Sequence, residues 1–473
     1  MQPMTDEKSE SVVVPKKRSN VRGGKDWQIT NFQRRGRELM HRNEESLSTK
    51  LRRIDELARK DQSTRFTSLA HLLNEEMLTK SFKRLNRRGA PGIDGVTIRS
   101  FEEHFVENIQ SLYAELKSGR YRATSVRRVY IPKANGKQRP IGIPTVKDRI
   151  VQRAVAEIIG AIYEPYFIEH SYGFRPGRSC HDAIAELKRA TRKSRAKYVV
   201  EADITSYFDK VNHDWMMKFL EHRIADKTIL RIVKKWLNAG FMEKGVKCRT
   251  DEGTPQGGPI SPLLANIYLH YVLDLWFEKK YRTSCEGKAT LIRYADDFVV
   301  SFEKKEEAER FLKEMMERLA AFNLTLAVDK TRLLEFGRRS LNNAAKGKAG
   351  VDKTFDFLGF TMYARRRKNG RYSIAAKPSR TRKNRFLAAV KEWLRINMNR
   401  NVWYQAYSLR RKLFGYYNYF GLKYCIPSLE HVQFHVARIW LKTLRRRSQR
   451  AYISWGKFLS TSWYRKLPKP VLR

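Results

Sequence analysis

Two neighbouring aspartates, Asp296 and Asp297, sit inside the run LIRYADDFVVSF (291–302), flanked by Ile292, Tyr294, Phe298 and Val299. Adjacent carboxylates repel, and removing them from water is costly unless a cation or hydrogen-bond donors hold them. A tight turn would also accept such a pair, because Asp is a frequent turn residue, so a chemical role needs a partner elsewhere in the chain. Two-metal phosphoryl transfer defines that partner: carboxylates from more than one strand clamp two cations about 3.5–4 Å apart. Magnesium prefers oxygen ligands and is commonly shared between carboxylates and substrate phosphates. The run YVVEADITSYF (198–208) has the same design, with Asp203 ending an apolar stretch. Two such strands side by side would bring Asp203 and Asp296 to one pair of divalent ions.

Charge narrows the substrate. The 473 residues include 96 Lys and Arg against 49 Asp and Glu, a formal net charge of +47. An excess of that size implies a polyanionic partner, nucleic acid above all. Aromatic residues beside cations, as in Tyr121-Arg122 and Trp463-Tyr464-Arg465, suit phosphate neutralisation with base stacking. A hydrophobic content of 41% is that of a globular chain with a real core, not a disordered one. Cys180, Cys248, Cys285 and Cys425 form no C-x-x-C pair, which argues against a zinc site or disulfide framework and fits a reducing cytoplasm. No 18-residue apolar run occurs, and the N-terminal apolar stretch is too short for a signal peptide, so no membrane association is expected.

These residues need elements to carry them. Residues 1–45 read as a polar, basic arm, and Leu51, Ile54, Leu57 and Ala58 open a helical pattern reaching to about residue 85. RRGAPGIDGVT (87–97) is a loop, and RRVYIPK (127–133) and RPIGIPT (139–145) form a hairpin through Asn135-Gly136. Helical segments are expected over 147–163, 213–240, 263–279 and 304–322, with the loop GTPQGGPISP (253–262) among them and a hairpin-like FDFLGFTMYA (355–364) after them. From residue 361 onward there are 28 Lys and Arg and two acids, Glu392 and Glu430, which marks a separate basic helical region.

In order, GAPGIDGVT (89–97), VYIPKANGKQRPIGIP (129–144), SYGFRPGRSCHDAI (171–184), Asp203 with Phe208, PQGGPISP, YADD, LAVDKTRLLEF (326–336), FDFLGF (355–360) and LFGYYNYFG (413–421) resemble the group II intron-encoded reverse transcriptase/maturase family over residues 50–425. The resemblance implies an α+β right-hand polymerase. Fingers and palm, an antiparallel palm sheet plus helices, would occupy 46–375, an α-helical thumb 376–440, and a basic nucleic-acid-binding tail 441–473, after the arm of 1–45. It implies that Asp203 and Asp296 hold two Mg²⁺ ions, replaceable by Mn²⁺, with Asp297 as a weaker or structural ligand.

Phe208 would lie under the sugar and exclude a 2′-hydroxyl. Lys133 and Arg139 would contact the triphosphate, Gln256 the nucleotide or templating base, and Lys330 the nucleotide as a proton donor to pyrophosphate. Arg175 and Arg178 would meet template or primer phosphates; His181 and His213 are read as structural. The implied partners are an RNA template, a DNA or RNA primer, dNTPs, group II intron RNA and target DNA, in a bacterial-type cytoplasm at the nucleoid. LFGYYNYFG is expected to be packed thumb core. Past residue 400 only Cys425, His431 and His435 could ligate a metal, so an endonuclease module is not expected. Three other readings share these residues: a free-standing reverse transcriptase of DNA repair or defence, an RNA-dependent RNA polymerase, disfavoured by Phe208 and Ala295, and a non-catalytic RNA-binding splicing factor, disfavoured by the intact aspartates.

Overall fold

The apolar runs that end in the three aspartates become neighbouring strands of one sheet. The computed structural model describes residues 47–472 except 133–135, 137, 194–195, 244–245, 249–251, 254–256, 338–339, 342–353, 367–368, 370–371 and 448–451. Residues 51–473 form one compact unit and residues 1–50 another. The arm of 1–45 lies outside the described residues.

Along the larger unit, α1 (Glu75–Lys83) and α2 (Phe105–Lys117) precede a hairpin of β1 (Val126–Pro132) and β2 (Gln138–Ile143), then α3 (Val146–Tyr163) and α4 (Cys180–Lys193). The next strand is β3 (Tyr198–Asp203), followed by α5 (His213–Glu221), α6 (Lys227–Leu237), β4 (Phe241–Glu243), β5 (Val246–Cys248) and α7 (Ser261–Leu269). The hairpin of β6 (Ala289–Tyr294) and β7 (Asp297–Phe302) leads into α8 (Lys305–Ala320) and β8 (Arg332–Glu335). Strands β9 (Thr354–Phe357), β10 (Phe360–Arg366) and β11 (Tyr372–Pro378) come last, before α9 (Arg380–Ile396), α10 (Val402–Phe420) and α11 (Ile426–Arg445). Three sheets result, in orders β2-β1-β4-β5, β6-β7-β3-β8 and β11-β10-β9. The architecture is α+β, and the strand pairings of the second and third sheets are all antiparallel.

The second sheet positions the aspartates. Side chains alternate between its faces, so Val199, Asp203, Asp297 and Val299 share one face. There Val199, Ile292, Val299 and Leu334 join a continuous buried cluster with Ala183, Ile184 and Leu187 of α4 and with the helices after β11. On the opposite face Phe302 meets Phe311 of α8 at 5.4 Å between ring centroids. A one-residue slip would exchange these faces, so burial on both sides pins the register.

The structure breaks three of the expected helices, each for a local reason. The first helical pattern stops at residue 60, where the Asp61 carboxylate accepts from Ser63 N–H and Oγ at 2.8 and 2.6 Å and from Thr64 Oγ1 at 2.7 Å. The 213–240 segment divides because Asp226 caps α6, accepting from Thr228 and Ile229 amides at 2.9 and 3.1 Å, while its other oxygen accepts from Leu69 and Ala70 at 2.7 and 2.8 Å. The 263–279 segment is α-helical only to Leu269 and continues in wider π-type turns at His270–Asp274 and Phe277–Tyr281. Such bulges often accompany functional sites, and this one carries Asp274.

The last three long helices bury LFGYYNYFG as core: Leu413, Tyr416, Tyr417 and Phe420 are inside, while Tyr419 stays 37% exposed. At the centre, Trp440 Nε1 donates to Gln405 Oε1 at 2.8 Å, and Gln405 Nε2 donates to the Asn397 and Met398 carbonyls at 2.6 and 3.1 Å. No helix of the described residues is long and apolar enough to cross a membrane. Trp440→Ala would leave a cavity and strand the Gln405 carbonyl oxygen, so it is expected to destabilise the chain by about 3–5 kcal/mol, measurable by urea unfolding.

Candidate active site

Register sets the geometry. β3 and β7 pair from Tyr198↔Phe302 to Asp203↔Asp297, so the two carboxylates face each other across the last rung. β6 and β7 pair out to Tyr294↔Asp297, which leaves Ala295-Asp296 as a two-residue turn. Ala295 has φ 58°, a left-handed conformation that costs a residue other than glycine about 1–2 kcal/mol.

A buried polar network holds that turn in place. Arg293 Nη1 donates to the Ala295 carbonyl and to Asn266 Oδ1, both at 3.0 Å. Its Nε and Nη2 grip Asp274 in a fork at 2.7 and 2.5 Å, and both side chains are fully buried. Asn266 Nδ2 donates in turn to the Gly173 carbonyl at 2.6 Å. Gly173 lies so close beneath the turn that an added Cβ would stand 2.4 Å from the Ala295 nitrogen. Sequence reasoning singled out none of Arg293, Asp274, Asn266 or Gly173 for this role. The signal available was an arginine inside an apolar strand and an aspartate inside an apolar helix, each costly to bury without the other.

The carboxylates crowd one another. Burial pushes Asp296 above its ordinary value, and Asp203 adds to this while its own backbone, Arg139 and Lys330 oppose it. Asp297 is pushed up to about 7, by burial first and then by the Asp203 and Asp296 charges, against a hydrogen bond from the Leu358 amide. The Lys330 ammonium is hydrogen-bonded to Asp203 Oδ2, and that bond raises its own pKa. A cleft of about 460 Å³ opens here, lined by Asp203, Asp297, Asp329, Lys330, Asp356 and Arg382 among others.

Of the residues expected to bind nucleotide, Arg139 stands exposed on β2 opposite Ile131, and its charge reaches Asp296. Lys330 reaches Asp203 directly. Phe208 is buried in the single helical turn Tyr207–Lys210 that follows β3, its ring 5.4 Å from that of Tyr207. Lys133 and Gln256 lie outside the described residues. Next to the latter, Gly257 has φ 113°, and a Cβ there would stand 2.5 Å from the Gly142 carbonyl oxygen, so this loop is wedged against β2.

Arg175 is a correction. Its side chain is 3% exposed and bonds Glu164 Oε1 at 2.9 Å and the Ile168 and Ser171 carbonyls at 2.7 and 2.8 Å. The guanidinium is committed to holding the loop before α4, not to phosphate. Arg178 is half-buried, hydrogen-bonded to the Glu169 carbonyl and 5.4 Å above the Tyr172 ring. His181 and His213 are bonded to the Tyr419 and Gly253 carbonyls, both at 2.7 Å.

The donor set fits a divalent cation. Three carboxylates converge from two strands and a turn, their repulsion favours protonation, and the cation they find is the Lys330 ammonium. Among the described residues no three ligating side chains already surround one point, so such an ion would be shared with substrate oxygens, as magnesium commonly is.

Residues 131–362 match the family described as reverse transcriptase (RNA-dependent DNA polymerase). The chain is 33% identical over 378 residues to Protein YkfC of Escherichia coli, covering 73% of this chain and 95% of that one. It is 38% identical over 231 residues to the group II intron-encoded protein LtrA of Lactococcus lactis, covering 48% of this chain and 38% of the relative. A structure of apo telomerase from Candida tropicalis aligns over 55% of this chain and 59% of that chain, with 15% identity and a TM-score of 0.39.

Two outcomes follow from the crowding. Gly173→Ala forces the backbone apart beneath the turn and should lower stability by about 1–3 kcal/mol in urea unfolding. Asp297 has a folded pKa of about 7, raised above its model value of 3.8. Its contribution to stability is therefore fully present below the unfolded value and is lost as pH rises through 7. Metal-free Asp297→Asn should accordingly gain stability over the unsubstituted chain at pH 8, with the gap closing toward pH 5.

Proposed function

The chain belongs to the group II intron-encoded reverse transcriptase/maturase family and is an RNA-directed DNA polymerase, and from that premise we propose that Asp203, Asp296 and Asp297 form its two-metal centre. The observation that carries the reading is the in-register Asp203–Asp297 pair with Asp296 in the adjoining turn. Two Mg²⁺ ions bound there, or Mn²⁺ in their place, would activate a primer 3′-hydroxyl and neutralise the triphosphate and departing pyrophosphate.

The remaining work belongs to the chain itself. Arg139 presents a planar fork of donors that suits a triphosphate, with Lys133 on the same hairpin. Lys330, exchanged from Asp203 onto the incoming nucleotide, holds a proton that can pass to the pyrophosphate oxygen. Phe208, at the first turn after Asp203, excludes a 2′-hydroxyl and so selects dNTPs. Gln256 lies in the loop beside β2 and orients the nucleotide against its templating base. Arg178 contacts the template or primer backbone.

The helices after β11 serve as a thumb. Their excess of cations suits gripping an RNA–DNA duplex by its phosphates without reading sequence. The same basic surface supports binding of a group II intron RNA, whose splicing and insertion into target DNA at the nucleoid the protein would assist.

Primer extension on an RNA template tests the centre. Asp296→Ala should lose more than the ~10–100-fold that removing a metal ligand's supporting group costs, and chelation should abolish extension by the unsubstituted chain until Mg²⁺ is restored. Extension by Asp296→Ala at the unsubstituted rate would overturn the assignment. Sequencing RNA crosslinked to the protein in cells tests the intron partner: one dominant RNA with intron boundaries is expected, and a broad spread of unrelated RNAs would replace it with a free-standing polymerase.

A further inference from the structure

The turn between β9 and β10 has no part in the chemistry above, yet it touches both the carboxylates and the thumb. Leu358 at this turn has φ 52°, and a residue other than glycine stays there only while its surroundings over-determine it. Its amide is hydrogen-bonded to the Asp297 carboxylate, and its carbonyl accepts from the Tyr419 hydroxyl of α10 at 2.9 Å.

Tyr419 is itself located from three sides. Its ring lies on Phe360 at 5.7 Å and 23° between planes, and it meets Phe420 edge-on at 4.7 Å. Its carbonyl is bonded to His181 Nε2 of α4 at 2.7 Å. From α9, Arg382 covers the other side of the turn, where a Cβ on Gly359 would stand 3.0 Å from its Nε. One strained residue is thus held on its N–H by the palm and on its C=O by the thumb.

We propose that Tyr419 is a positioning residue that, through Leu358, ties the placement of the thumb to the orientation of Asp297. The inference rests on reading Asp297 as a member of the metal-binding set. Without the hydroxyl, Leu358 can leave its left-handed conformation, its N–H swings off Asp297, and the carboxylate loses the donor that orients it. Thumb helices seated on a duplex would keep Tyr419 in place and Asp297 aimed; a displaced thumb would release both.

Hydrogen–deuterium exchange of the full chain, free of metal and nucleic acid, tests the link apart from any activity. Tyr419→Phe keeps the ring stack and removes the hydroxyl, and should speed exchange of the Leu358 amide at least ~10-fold. In single-nucleotide addition it should lower kcat about tenfold with the KM for dNTP within about twofold, the mark of an interaction that acts on the reacting centre and not on binding. Tyr407→Phe, at an exposed tyrosine of the same helix, should do neither. Unchanged exchange at Leu358 in Tyr419→Phe would overturn the proposal, as would faster exchange with kcat unaltered. Failure of the metal-centre reading would appear separately, as activity surviving in Asp296→Ala.

Discussion

Like charges placed opposite one another at the end of a strand pair are the constraint from which the rest of this site derives. Asp203 and Asp297 meet because β3 and β7 pair without a bulge from Tyr198↔Phe302 onward, and that register is fixed far from the charges, by Val199 and Val299 on one face and Phe298 and Phe302 on the other. Hydrophobic burial therefore brings together groups that would otherwise separate. The cost shows in the raised pKa values of Asp296 and Asp297 and in the capture of Lys330 by Asp203. A site built this way has a standing demand for cations, which a divalent ion meets better than one flexible ammonium.

Precision beneath the turn comes from a different interaction. The Ala295-Asp296 turn is too short to hold itself in a left-handed conformation, and the Arg293 guanidinium supplies the missing bond while paired in a fork to Asp274. Arginine suits the place because its planar donors satisfy a carboxylate, an amide oxygen and a backbone carbonyl at once. Breaking such a buried pair by removing one partner typically costs about 3–5 kcal/mol, so the network is rigid. Asp274 can reach it because the helix after α7 widens into a π-type turn at His270–Asp274. The carboxylates are thus approached from below by a rigid buried network and from the side by the Leu358 turn, which the thumb holds.

Much of this was legible in the residues. The hairpin of β1 and β2, helix α3, the β6–β7 turn and the packed aromatic core of α10 all lie where periodicity and turn chemistry place them, because each is decided by neighbours a few positions away. Reading failed where a distant group overrode the local pattern. Two expected helices stop or divide because Asp61 and Asp226 take backbone donors for themselves, in the second case from a segment remote in sequence. Arg175 looked like a phosphate ligand, but Glu164 and two carbonyls consume its donors, and a single charged residue in a basic chain carries no mark of that.

By itself, then, the sequence determined the chemistry available: three carboxylates in strand-like runs, a large positive excess for a polyanionic partner, and a basic helical segment after the last hairpin. Residue type and local spacing suffice for that, since the affinity of carboxylates for hard cations and of arginine for phosphate needs no fold. Only the tertiary structure decided which carboxylate faces which, which arginines are free for substrate, and how the thumb reaches the catalytic turn. Those are matters of register and of hydrogen-bond partners remote along the chain. Asp203 opposite Asp297, Arg293 beneath Ala295, and Tyr419 against Leu358 become neighbours only when the core closes.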